Sequence, residues 1–150
     1  MRFNHMELTF PTGALDTTRR EEIGAFYGDV FGWEAREVKV FETPSLMLRV
    51  DDGQFILCHE SSKPMQSPGF DHLGLLVDTR EEVDERLAAC ERWRETDDRV
   101  DITYYDDLVM PTITVHAFYV RYLLPIRFDV QSQEHPEGHG PAMAWTYRPT

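Results

Sequence analysis

The sequence predicts an α+β fold made of two βαβββ modules, and three observations carry the prediction. Residues 3 to 10 align without gaps on residues 70 to 77, each copy leads into an amphipathic helix, and three short strand-like stretches follow each helix. The copies read Phe-Asn-His-Met-Glu-Leu-Thr-Phe and Phe-Asp-His-Leu-Gly-Leu-Leu-Val. Both alternate as half-buried strands, with Met6, Leu8 and Phe10 on one face of the first and Leu73, Leu75 and Val77 on one face of the second. The opposite faces carry His5 and Glu7, and His72 and Gly74.

In the first helix Ile23, Phe26, Tyr27, Val30 and Phe31 follow helical spacing. Asp16, Thr17 or Thr18 is available as its cap, and Gly32 stands at its end. In the second, Thr79 and Glu82 form a capping box ahead of Val83, Leu87 and Cys90, and the helix is expected to run to about Arg94. The first module's later strands are expected over Glu37 to Phe41, Leu46 to Val50 and Gln54 to His59, with Asp51-Asp52-Gly53 turning the last two into a hairpin. The second module's are expected over Val100 to Tyr105, Ile113 to Tyr122 and Ile126 to Gln131. The modules then span 1-62 and 68-133, with the boundary in the Ser61 to Pro68 connector and a tail over 134-150.

The chain has 150 residues, 27 Asp plus Glu against 15 Lys plus Arg, and a formal charge of -12. A surface this acidic repels phosphate backbones and anionic lipid, and no apolar run approaches the ~20 residues that span a bilayer. Nucleic-acid and membrane partners are not expected. The first ten residues lack a basic segment followed by an apolar block, so they read as a mature cytoplasmic start. Cys58 and Cys90 have neither metal-ligand nor redox spacing and read as buried small hydrophobes in a reducing compartment.

Residues 3 to 133 resemble the vicinal oxygen chelate superfamily, which includes glyoxalase I, bleomycin resistance proteins, fosfomycin resistance transferases and extradiol dioxygenases. The carriers are the two His-bearing strands, the helix end Phe26-Tyr27-Gly28-Asp29-Val30-Phe31-Gly32-Trp33, and the segment from Phe118-Tyr119-Val120-Arg121 through Phe128-Asp129. The resemblance implies a glyoxalase/bleomycin resistance/dioxygenase fold, a curved, mostly antiparallel, cup-shaped sheet with a divalent metal inside the cup. It also implies a small-molecule substrate and a homodimer. His5, His72 and Asp129 fall at ligand positions, a two-His, one-carboxylate set suited to Fe, Mn, Zn or Ni.

The chain departs from the family pattern in three places. Aspartate replaces the usual glutamate at 129, shortening the reach by one methylene, roughly 1.5 Å. Tyr122-Leu123-Leu124-Pro125 replaces an Asp-Pro-Asp-Gly turn, so this apolar corner is expected to pack against a dimer partner or the tail. Aligning the closing strands sets Leu57 opposite Asp129, so a fourth carboxylate ligand is missing and a four-ligand glyoxalase is disfavoured.

Around these positions, Glu7 is a candidate general base or else an edge-strand charge. Tyr119 and Arg121 share a strand face and are candidates to orient an anionic or enolic substrate, against packing and a surface ion pair; Arg49 and Arg127 are weaker candidates of the same kind. His59 and Gln131, two residues beyond Leu57 and Asp129, are candidate substrate contacts. Glu134 to Gly140 reads as an irregular strap anchored by Trp145 and Tyr147. The expected function is metal-dependent activation of vicinal oxygens, by lyase, isomerase or ring-cleaving dioxygenase chemistry. The alternative is a metal-free cup that binds or sequesters a small molecule, as bleomycin resistance proteins do.

Overall fold

The structure is a computed structural model and describes residues 3–140. The first module runs β1 (His5–Phe10), α1 (Thr17–Phe31), β2 (Glu34–Val40), β3 (Thr43–Asp51) and β4 (Gln54–Glu60). The second runs β5 (His72–Leu76), α2 (Arg80–Thr96), β6 (Asp101–Tyr104), β7 (Leu108–Met110), β8 (Ile113–Arg121) and β9 (Arg127–Glu134). Among the described residues no helix is long and apolar enough to cross a membrane.

Asp16 is the cap that α1 uses: its carboxylate accepts the Arg19 amide at 2.8 Å, and Gly32 closes the helix at φ 71°. The Thr79 and Glu82 capping box forms at α2, which continues to Thr96. β2 and β3 are longer than expected because they meet in a two-residue turn, Phe41-Glu42, with φ 47° and 66°. β7 is an added short strand that folds back on β8 through Pro111-Thr112.

The strand order is β1-β4-β3-β2 in one sheet and β5-β9-β8-β6 in the other, with β7 also on β8. All pairings are antiparallel except β1 with β4 and β5 with β9, where each module's opening strand lies parallel to its closing one. The half-sheets are thus two separate mixed sheets within the chain, and β1 and β5 each end their own.

One face of each sheet is buried under the helices. Leu8, Phe10, Leu46, Leu48, Ile56 and Cys58 line it in the first sheet, and Phe118, Val120, Phe128 and Val130 in the second. The modules join through aromatics: Tyr27 stacks on Trp33 and meets Phe128 edge-on, both at 5.5 Å, while Phe26 packs on Tyr122 at 4.5 Å and on Trp93 at 5.5 Å. Cys58 and Cys90 are both buried, and burial pushes each thiol up to about 12.

The apolar corner packs into the chain's own core. Tyr122, Leu124 and Ile126 are buried, and the Tyr27 hydroxyl donates to the Tyr122 carbonyl at 3.1 Å. Leu123 takes φ 59°, the left-handed turn that glycine would have supplied. Trp145 and Tyr147 lie outside the described residues.

Candidate functional site

The faces turned away from the helices carry the polar residues, and pairing registers place them in rows. In the second sheet Thr103, Tyr119, Asp129 and Gly74 form one row. The next row runs Asp101, Arg121, Arg127 and His72, and on the other side of Asp129 lie Ala117, Gln131 and Leu76. In the first sheet the corresponding rows are His5, Phe55, Arg49 and Glu34, then Glu7, Leu57, Met47 and Arg36. Leu57 therefore stands in the first sheet where Asp129 stands in the second.

His72 and Asp129 come together, with Nε2 and Oδ2 3.8 Å apart. His72 Nδ1 lies 2.6 Å from the Phe70 carbonyl, which can only accept, so in the neutral ring Nε2 is left with its lone pair towards Asp129. Asp129 Oδ2 accepts from Gln131 Nε2 at 2.9 Å, while Oδ1 is buried without a hydrogen-bond partner among the described residues. Burial raises the Asp129 carboxyl above its ordinary range, opposed by the nearby Tyr119 hydroxyl, the His72 ring and the Gln131 amide. Tyr119 meets His72 edge-on at 4.9 Å and packs against Tyr105 at 5.0 Å; burial and the Asp129 charge raise its own pKa.

His5 is prepared in the same way but elsewhere. Asn4 donates Nδ2 to the Gly53 carbonyl at 2.6 Å, which turns its Oδ1 towards His5 Nδ1 at 2.7 Å and again leaves Nε2 free. The His5 ring is stacked on Phe55 at 4.9 Å. His72 shares a hollow with Met6, whose side chain leaves β1 on the face opposite His5. Among the described residues no three His, Cys, Asp or Glu side chains converge as metal ligands. One chain thus assembles His72 and Asp129 but does not bring His5 to them.

Glu7 and His59 form a second pair in the first module, with Oε1 2.7 Å from Nε2. Arg121 and Arg127 both reach Asp101 Oδ2, at 3.1 and 2.6 Å. A concavity of about 520 Å³ opens over the second sheet between Phe70, Tyr105, Val115, Tyr119, Asp129 and Gln131. The sequence reading missed Asn4, which sets the His5 tautomer, and Phe70 and Tyr105, which wall this hollow. Asn4 had left a signal, because the repeat places Asn or Asp before each histidine. Residue 105 was legible only as the end of a strand.

With this geometry, the comparisons with known proteins show the fold of the glyoxalase/bleomycin resistance/dioxygenase proteins. A Bacillus anthracis protein described as glyoxalase family superposes with a TM-score of 0.61 at 17% identity, over 89% of this chain and 96% of that one. A glyoxylase/bleomycin resistance protein/dioxygenase domain from Frankia gives 0.58 at 16%, over 93% and 95%. A variant of the fosfomycin resistance protein FosX from Listeria monocytogenes, complexed with Mn(II) and 1S,2S-dihydroxypropylphosphonic acid, gives 0.58 at 16%, over 86% and 90%. No protein-family model and no curated protein matches the sequence.

Proposed function

We propose that the chain is a metal-dependent enzyme of the vicinal oxygen chelate type, working as a cytoplasmic homodimer on a small molecule. The observation that carries this reading is the His72 and Asp129 pair, with His72 Nε2 3.8 Å from Asp129 Oδ2 and Asp129 Oδ1 buried with no partner among the described residues. A buried carboxylate oxygen without a donor is costly unless a cation meets it. These residues fit a divalent metal as two of its ligands.

His5 of a second copy is the third ligand in this proposal. The support is that His5 and His72 both lie exposed on strands that end their sheets, with Nδ1 tied down and Nε2 open. A sheet edge of this kind is a natural seat for another chain. Bound there, Fe, Mn, Zn or Ni would supply Lewis acidity to two oxygens of the substrate. Tyr119 orients the substrate by hydrogen bonding, Glu7 holds or accepts a proton with His59 as its partner, and Gln131 positions Asp129.

The test is elemental analysis of untagged protein purified without chelator. About one Fe, Mn, Zn or Ni per chain is expected in the native protein and none in His72→Ala or Asp129→Ala. His5→Ala would lower the content, and light scattering would give a dimer mass. The second reading, a metal-free cup that binds a small molecule, is favoured by Leu57 at the place of a fourth ligand and by the aromatic walls of the 520 Å³ hollow. No uptake from an anaerobic panel of divalent ions would make it the leading one.

A further inference from the structure

Each module carries an arginine and an acid at matching register positions on its open face. Arg49 is paired with Glu34 in the first and Arg121 with Asp101 in the second, at 3.8 and 3.1 Å. Taken alone, such a pair is a balanced strut between neighbouring strands. The modules differ at the next position of the row, where the first has Phe55 and the second has Arg127. Arg127 reaches over to the same acid, with Nη2 2.6 Å from Asp101 Oδ2, and also contacts Thr103 Oγ1 at 3.4 Å. Two guanidiniums therefore share one carboxylate, and among the described residues that row carries one uncompensated positive charge.

The excess charge lies next to the proposed chemistry. The arginine row is adjacent to the Tyr119 and Asp129 row, and same-face rows are roughly 7 Å apart. His72 ends the arginine row. Arg127 is largely packed, with its side chain 16% exposed, whereas Arg121 is 41% exposed on the open face. Hydrogen bonds within the described chain engage only three of the N–H donors that the two guanidiniums carry, five each. A planar fork of free donors on the open face, one row from the Tyr119 and Asp129 side chains that line the hollow, matches an oxyanion. The chain's overall charge of -12 opposes anion approach at long range, but about 8 Å of screening at physiological salt leaves the local pair in control.

We infer that Arg121 and Arg127 form an oxyanion subsite, so that the ligand of this cup is a small acid bearing a carboxylate or phosphoryl group, with Asp101 the internal counter-ion that the ligand displaces. The subsite deepens the active-site reading above and rests on the same face of the sheet, but needs no metal to hold its anion.

The test is calorimetric titration of inorganic phosphate and, separately, of malonate into metal-stripped full-length protein, which also distinguishes a phosphoryl from a carboxylate head. Saturable binding is expected for at least one, weakened tenfold or more in Arg127→Gln and at least threefold in Arg121→Gln. Arg94→Gln, which removes a positive charge on the helix side, should leave it unchanged. Asp101→Asn separates a binding site from a strut. Removing the internal counter-ion should tighten anion binding at least threefold, even where it lowers the melting temperature. Binding that is absent, that survives Arg127→Gln, or that weakens in a folded Asp101→Asn protein overturns the inference. Anion binding that persists when no variant or native protein takes up metal overturns the metal reading and leaves the subsite standing.

Discussion

Leu57 and Asp129 occupy one and the same register position in the two modules: Leu57 lies across from Glu7 on β1, and Asp129 across from Gly74 on β5. The two modules therefore differ at this matching position. The module with the buried carboxylate has a glycine facing it. The module with the leucine carries its acid on the neighbouring strand, where Glu7 is held by His59 at 2.7 Å.

Asp129→Asn is expected to stabilise the metal-free protein. The native carboxyl is raised by burial, so the folded state binds a proton more tightly than the unfolded one. Stability then falls as pH rises from the ordinary aspartate value through the raised one, and the loss is complete above it. An amide removes that charge, so the variant should gain about 1 kcal/mol at pH 7, about 2–4 °C in melting temperature, and lose this part of the pH dependence. Mn(II) should reverse the order, raising the melting temperature of the native protein and not of the variant. Thermal melts across pH 4 to 8, with and without Mn(II), check both parts.

The Phe41-Glu42 turn joins β2 to β3 with positive φ at both central residues, the geometry of a type I′ hairpin. Neither side chain suits it, and Phe41 is 96% exposed, so it gains nothing by packing. Replacing the pair with Phe41→Asn and Glu42→Gly should stabilise the protein by about 1–2 kcal/mol. Urea unfolding should show a higher midpoint at unchanged slope.

That turn also shows where the sequence stops being readable. Alternation and capping are local signals, and they were enough for every element except β7, for the capping box at Thr79 and for the equivalence of Leu57 with Asp129. The φ values of Phe41 and Glu42 are imposed by β2 pairing with β3, against their own preferences, so the turn had no Gly or Asn to announce it. The corner at Leu123 is similar: its apolar residues signalled burial, but the surface they meet, Phe26 and Trp93, comes from distant helices. The site divides in the same way. His5, His72 and Asp129 were legible as positions, whereas the free Nε2 atoms depend on Asn4 and on the Phe70 carbonyl.

Gly24→Ala tests how closely α1 lies on β2. A Cβ at position 24 would stand 2.9 Å from the Ala35 Cβ, a contact that neither rigid methyl can relieve by rotating. Alanine favours a helix over glycine by up to about 1 kcal/mol, but overpacking costs about 1–3 kcal/mol. The variant should be less stable on balance. Gly24→Ala combined with Ala35→Gly should recover the loss, and denaturant melts of both proteins decide it.

Asp97 ties the end of α2 to the rest of the domain. Its carboxylate accepts from the Arg99 guanidinium at 2.6 Å and from the Tyr122 hydroxyl at 2.8 Å, and Arg99 continues to Glu22 on α1 at 2.8 Å. The Arg99 hydrogen bonds hold the Asp97 carboxyl well below the usual carboxylate range, with Tyr122 adding to the effect. A depressed folded pKa gives stability that is present above the unfolded value and lost as pH falls towards the folded one. Arg99 is 42% exposed, so solvent screening trims the pair to about 1 kcal/mol at neutral pH. Asp97→Asn should lower the melting temperature by about 2–4 °C at pH 7, and the gap to the native protein should close as pH falls below about 4. A gap that stayed constant down to pH 2.5 would mean that Asp97 acts by shape and not by charge.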